Sequence, residues 1–178
     1  GLALTYHAMG RADRARKTSE EAFAWARERE SQRMMIEAQS LASRLDLLDG
    51  QVPDVKHWAD HLGDTFSLMV MPEIPHLTLA KVLIAQGTTD SLKQAADLLS
   101  KLDLFVENTH DNWHLIEVRA LQALYHDALN ERAIAIECLE KALELDRSGS
   151  FIRLFVDLGS NMAKLLEELS RQGVAKGC

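Results

Sequence analysis

The sequence predicts an all-α domain assembled from helical hairpins: an α-solenoid of about four hairpins closed by a C-terminal pair of capping helices. Three observations predict it. The first is composition. Of 178 residues only three are Pro and nine are Gly, while Ala, Leu, Glu and Lys, which lose little freedom in a helix, are plentiful. The second is the stretch Leu121–Asp146, LQALYHDALNERAIAIECLEKALELD, in which two amphipathic helices meet at Asn130. Leu121, Leu124 and Ala128 share a face of the first helix; Ala135, Leu139, Ala142 and Leu143 form a stripe on the second. Such a hairpin is apolar on more surface than it can cover alone, so it needs neighbours. The third observation is that the neighbours are copies of it. With the turn placed at Gly or Asn, which tolerate left-handed backbone angles, the register recurs at Gly10, Gly50, Gly87 and Asn130, spaced 40, 37 and 43 residues apart.

Small residues repeat in step with these turns. Seven positions before each turn stand Ala3, Ser43, Ala80 and Ala123. Five positions after stand Ala15, Val55 and Ala135, with Ala95 as the third copy's equivalent, displaced by the short insertion TDS. Further along the second helices come Ala22, Leu62, Leu102 and Ala142. Small side chains facing each other across a hairpin let two helices approach closely, which is a packing requirement and not a catalytic one.

Taken in order, the first helix is predicted over 2–9 and its partner over 12–29, with Ala15, Ala22, Phe23 and Ala26 inward. A third helix covers 32–48, apolar at Met34, Ile36, Leu41, Leu45 and Leu48. Pro53 suits the opening of a fourth, 53–62, where its missing N–H is not needed. The segment TFSLMVMPEIPH, with Pro72, Pro75 and an apolar run from Phe66 to Met71, reads as an extended loop packed on the array. Helices follow at 75–86, 90–108, 111–128 with Asp111 as N-cap, and 131–146. Phe151–Asp157 is a short apolar helix ended by Gly159. Ser160 is then expected to cap a final helix, 161–171, with Met162, Leu165, Leu166 and Leu169 on one face. End repeats of solenoids are atypical because they must close the core. The organisation is thus four hairpins over 1–147, capping helices over 148–172, and the start of a linker over 173–178.

The run NERAIAIECLEKALELD (130–146) resembles the second helix of a tetratricopeptide repeat. The copies are divergent: their spacing exceeds the usual period of about 34 residues, the early aromatic of each first helix is mostly missing, and Arg147 stands where Pro is common. Two further stretches, PHLTLAKVLIAQG (75–87) and SFIRLFVDLGSNMAKLLEEL (150–169), resemble the helical sensor region of LuxR-type transcriptional regulators of the MalT-like class. In that family a signalling ATPase precedes a tetratricopeptide superhelix and a helix-turn-helix follows it; the FIRLFVDLG run resembles a segment that closes the superhelix. The likeness covers nearly the whole chain. It implies a bacterial sensor that binds an inducer or partner protein and relays to flanking domains. A free-standing tetratricopeptide adaptor that scaffolds other proteins is the alternative.

The chain carries no G-x-x-x-x-G-K-[ST] phosphate loop, and too few residues follow the final helix for a helix-turn-helix. A formal net charge of −7, with Lys and Arg scattered, argues against direct nucleic-acid binding by this segment. No apolar run approaches the roughly 20 residues a membrane span needs, and the N-terminus is no signal peptide. The chain lacks an initiator Met and enters a helix at once, as expected of a piece of a longer polypeptide. Cys138 and Cys178 form neither a disulfide framework nor a metal spacing, which fits a cytoplasmic protein; Cys138 reads as a small packed residue.

Chemical candidates are few. His57 and His61 are four apart on one predicted helix, and His110 and His114 are four apart near another's start, a spacing that can serve a metal. No carboxylate or Cys completes either pair, so solvated or capping histidines are the reading, with no metal and no cofactor. Trp25, Trp58 and Trp113 read as core or groove lining, and Glu28-Arg29-Glu30 and Glu167-Glu168 as solvated faces. Nothing supplies a nucleophile, base and orienter, so no enzyme is expected. What remains is geometric: stacked hairpins twist into a superhelix whose concave face, lined by the first helix of each pair, can hold a protein or small-molecule effector. Arg44, Lys81, Glu117 and Arg119 are the exposed candidates on those helices.

Overall fold

A computed structural model describes residues 1–63, 75–146, 149 and 151–176, the last four by backbone alone. The expected loop at Phe66–Met71 and the C-terminal Cys178 lie outside the described residues. Among those residues every regular element is a helix. The chain forms two compact units, Gly1–Ala85 and Gln86–Cys178.

In the first unit α1 (Leu2–Ala8) and α2 (Ala12–Glu28) form a hairpin, and α3 (Gln32–Leu48) packs on α2. The turns between them use one device. At Gly10 (φ 70°) the N–H of Arg11 reaches back to the carbonyl of Tyr6 (2.9 Å), and the N–H of Gly10 bonds the carbonyl of His7 (2.9 Å). These two bonds satisfy carbonyls that a helix end otherwise leaves orphaned. The same pair of bonds closes the turns at Glu30, Gly50, His110 and Asn130, each with positive φ. Gly and Asn mark three of the five in the sequence. Glu30 (φ 51°) and His110 (φ 54°) are left-handed without either residue type, held there by the flanking helices.

The small-residue register is realised as packing. Ala3, Ala15, Ser43, Val55, Ala80, Ala95, Ala123 and Ala135 are all buried. Ala22 departs from it and is exposed, although Leu102 and Ala142 at the equivalent position are fully buried. The reason is length. α1 has seven residues against seventeen in α2, so at 1.5 Å per residue it covers only about half of its partner. Beyond its reach α2 buries only Ser19 and Ala26, on the side that turns to α3.

The fourth helix is shorter than expected. α4 spans Lys56–Ala59 instead of 53–62. Pro53 stays ahead of it, the Asp54 carboxylate accepts the Lys56 N–H (3.1 Å), and after Ala59 the chain tightens into three-residue turns, His61 N–H to Trp58 and Leu62 N–H to Ala59. One side chain anchors the element. Trp58 is fully buried among Ile36, Val55 and Val82, and its indole N–H donates to Ser43 Oγ (3.2 Å). The unit ends in α5 (Pro75–Gln86).

The second unit contains α6 (Thr89–Thr109), α7 (Asn112–Ala128), α8 (Arg132–Leu145), α9 (Ile152–Val156) and α10 (Gly159–Lys176). A reciprocal cap opens α6: Thr88 Oγ1 accepts the Ser91 N–H (3.1 Å) and Ser91 Oγ accepts the Thr88 N–H (3.0 Å). Asp111 caps α7 as predicted, accepting the His114 N–H at 3.2 Å. α7 and α8 share a core of Ile116, Ala120, Ala123, Ala135, Ile136, Leu139 and Ala142, completed by Phe155 of α9 and by Met162 and Leu165 of α10. The apolar face of α10 is the one the sequence indicates, but its bounds differ. The helix starts at Gly159 (φ 78°), so Ser160 lies inside it and does not cap it, and it continues to Lys176, past the expected end at 171.

Candidate functional site

The four residues expected on an open groove are less available than the period suggests. Arg44 on α3 and Lys81 on α5 are half-buried, and neither is free of partners. Glu117 on α7 is buried, 6% exposed, against the expectation that it faces solvent. α7 has helices on more than one side, α6 and α8 both packing on it, and an outward arc read from one period does not survive that. Arg119 is half-buried and tightly held. Its guanidinium donates to Asp103 Oδ2 (2.7 Å) and Glu107 Oε1 (2.6 Å) on α6 and to Gln122 Oε1 (2.9 Å) on its own helix. Gln122 donates in turn to Asp103 Oδ2 (3.3 Å), while Asp103 Oδ1 is buried with no partner among the described residues. Glu117 and Arg119 therefore sit on one helix in different surroundings.

Two ionic clamps were not foreseen. In the first unit Arg16 of α2 spans Asp46 (3.0 Å) and Asp49 (2.8 Å) at the end of α3, and His7 of α1 meets Asp49 at 2.9 Å. The hydrogen bond from His7, joined by Arg16, holds the Asp49 carboxyl below its ordinary value. Hydrogen bonds to Asp46 and then Asp49 push the Arg16 guanidinium further up. In the second unit Arg132 bridges Glu168 of α10 (2.6 Å) and Asp127 of α7, and Glu168 foremost raises its pKa. Beside this bridge α8 and α10 border a groove of about 410 Å³, lined by Arg132, Ala133, Ile136, Glu137, Glu140 and Glu168 among others. The only sequence signal for either clamp is an acid near each turn, too common a feature to single out a pair.

The histidine pairs do not form the helical spacing expected of them. α4 ends before His61, and His110 is the left-handed residue ahead of α7, so neither pair occupies one helix face. His114 instead places Nδ1 2.6 Å from Asp111 Oδ2, the carboxylate accepting. Burial pushes the Asp111 carboxyl up, and its bonds from the His114 ring and backbone more than offset this, leaving it below the usual range. His114 Nε2 is buried with no partner among the described residues. Among those residues no three His, Cys, Asp or Glu side chains could hold a metal ion.

The tryptophans divide. Trp58 is core, whereas Trp25 and Trp113 are each 46% exposed. Arg29 stacks over Trp25 at 3.7 Å, and Trp113 meets Phe151 edge-on at 4.9 Å. Cys138 is half-buried against the α7–α10 core, and burial raises its thiol pKa. No helix among the described residues is long and apolar enough to cross a membrane.

Among the described residues, Arg16, Arg119 and Arg132 each spend their charge on bridges between helices. Comparison with known families gives a match to the MalT-like TPR region over residues 1–172. Neither the curated proteins nor the solved structures contain a match to the chain. Tetratricopeptide-type helical regions of this kind are generally non-catalytic. A match spanning all four turns, their small-residue register and the α9–α10 pair shows that the chain belongs to the MalT-like TPR region family, with an all-α, tetratricopeptide-like fold.

Proposed function

We propose that this chain is the sensor superhelix of a bacterial LuxR-type, MalT-like transcriptional regulator, cytoplasmic and without catalytic activity of its own. The observation that carries the reading is the family match over residues 1–172, supported by the F-I-R-L-F-V-D-L-G run that forms α9 and leads into α10. Contacts to an inducer or partner protein fall to the first helix of each hairpin: Arg44 on α3, Lys81 on α5 and Arg119 on α7; Glu117, being buried, is left out of the set. Arg119 leads this set, because an effector that competes for Asp103 or Glu107 would loosen α6 from α7. Signalling through an ATPase and promoter recognition through a helix-turn-helix belong to flanking domains. The test is the reading frame around this segment. An ATPase encoded upstream and a helix-turn-helix downstream are the expected result. A frame with neither would overturn the regulator assignment in favour of a tetratricopeptide adaptor.

A further inference from the structure

We draw no further inference here: the strongest candidate, the exposed Ile152–Val156 stripe on the outer face of α9 beside Trp113, is an unpartnered apolar face, and nothing in the structure shows what covers it.

Discussion

Ala22 and Ala142 occupy the same position in the repeat, twelve residues after their turns, yet one is exposed and the other fully buried. Replacing each by Leu separates packing from helix propensity. Leu and Ala are both good helix formers, so the intrinsic terms nearly match. At Ala142 the added isobutyl volume has nowhere to go. The residue is 0% exposed in a layer with Ala120, Ala123 and Ala135, all likewise 0% exposed, and interiors hold few voids as large as a water. Overpacking of this kind costs about 1–3 kcal/mol. For a chain of this size that lowers Tm by roughly 2–12 °C. Ala22→Leu adds the same atoms on the solvent side of α2 and should stay within about 0.5 kcal/mol of the parent. The assay is urea unfolding followed by far-UV circular dichroism, with thermal melts alongside. Equal effects from the two substitutions would refute the reasoning, since the difference rests wholly on α1 failing to cover the far half of α2.

Three further outcomes are expected. Glu30→Gly and His110→Gly should each stabilise by about 0.5–1 kcal/mol in chemical denaturation, because both positions hold a left-handed backbone that costs an L-residue about 1–2 kcal/mol; destabilisation at both would show that their side chains matter more than their φ. Asp49→Asn should remove an acid-sensitive part of stability. The folded Asp49 pKa is depressed, so its contribution is complete above the ordinary carboxylate value of about 4 and is lost as pH falls through the folded pKa. Unfolding curves of parent and variant from pH 7 to 3 should therefore converge at the acid end, and curves that stay parallel would contradict it. Arg119→Ala should cost about 1–3 kcal/mol by leaving Asp103, partly buried, without its cation. Arg119→Lys should recover little, because one ammonium cannot reproduce the fork spanning Asp103 and Glu107.

What could be read in the sequence was whatever leaves a local mark. A left-handed turn selects Gly or Asn and a close helix crossing selects Ala, so Gly10, Gly50, Asn130 and the small residues around them disclosed their turns, while Gly87 is left-handed beside the boundary of the two units. Asp111 was legible as a cap for the same reason: its partner is three residues away. Long-range pairing leaves no such mark. Arg16 meets its aspartates across 30 and 33 residues, and Arg132 meets Glu168 across 36; charged residues are common enough that most helices offer decoys. α4 is shortened at both ends: it opens only after Val55, with the Asp54 carboxylate accepting the Lys56 N–H, and past Ala59 the chain tightens into three-residue turns. Glu117 was misread because a charged side chain was assigned outward by type, whereas α7 is covered by neighbours on more than one side.

The turn built on back-bonded carbonyls at Gly10, Glu30, Gly50, His110 and Asn130 has a consequence for how the chain acquires its structure. The connections at Gly10, Glu30, His110 and Asn130 are two or three residues long, so bringing those successive helices together closes a very small loop and forfeits little chain entropy. Native contacts of this kind are local, and α-helical proteins dominated by them fold in microseconds to milliseconds. In a repeat array any sufficiently stable hairpin can nucleate and its neighbours add to it. In the second unit that hairpin is α7–α8, with its alanine layer and shared core. Within that unit α9 and α10, which complete its core with Phe155, Met162 and Leu165, are expected to join after it and to leave it first.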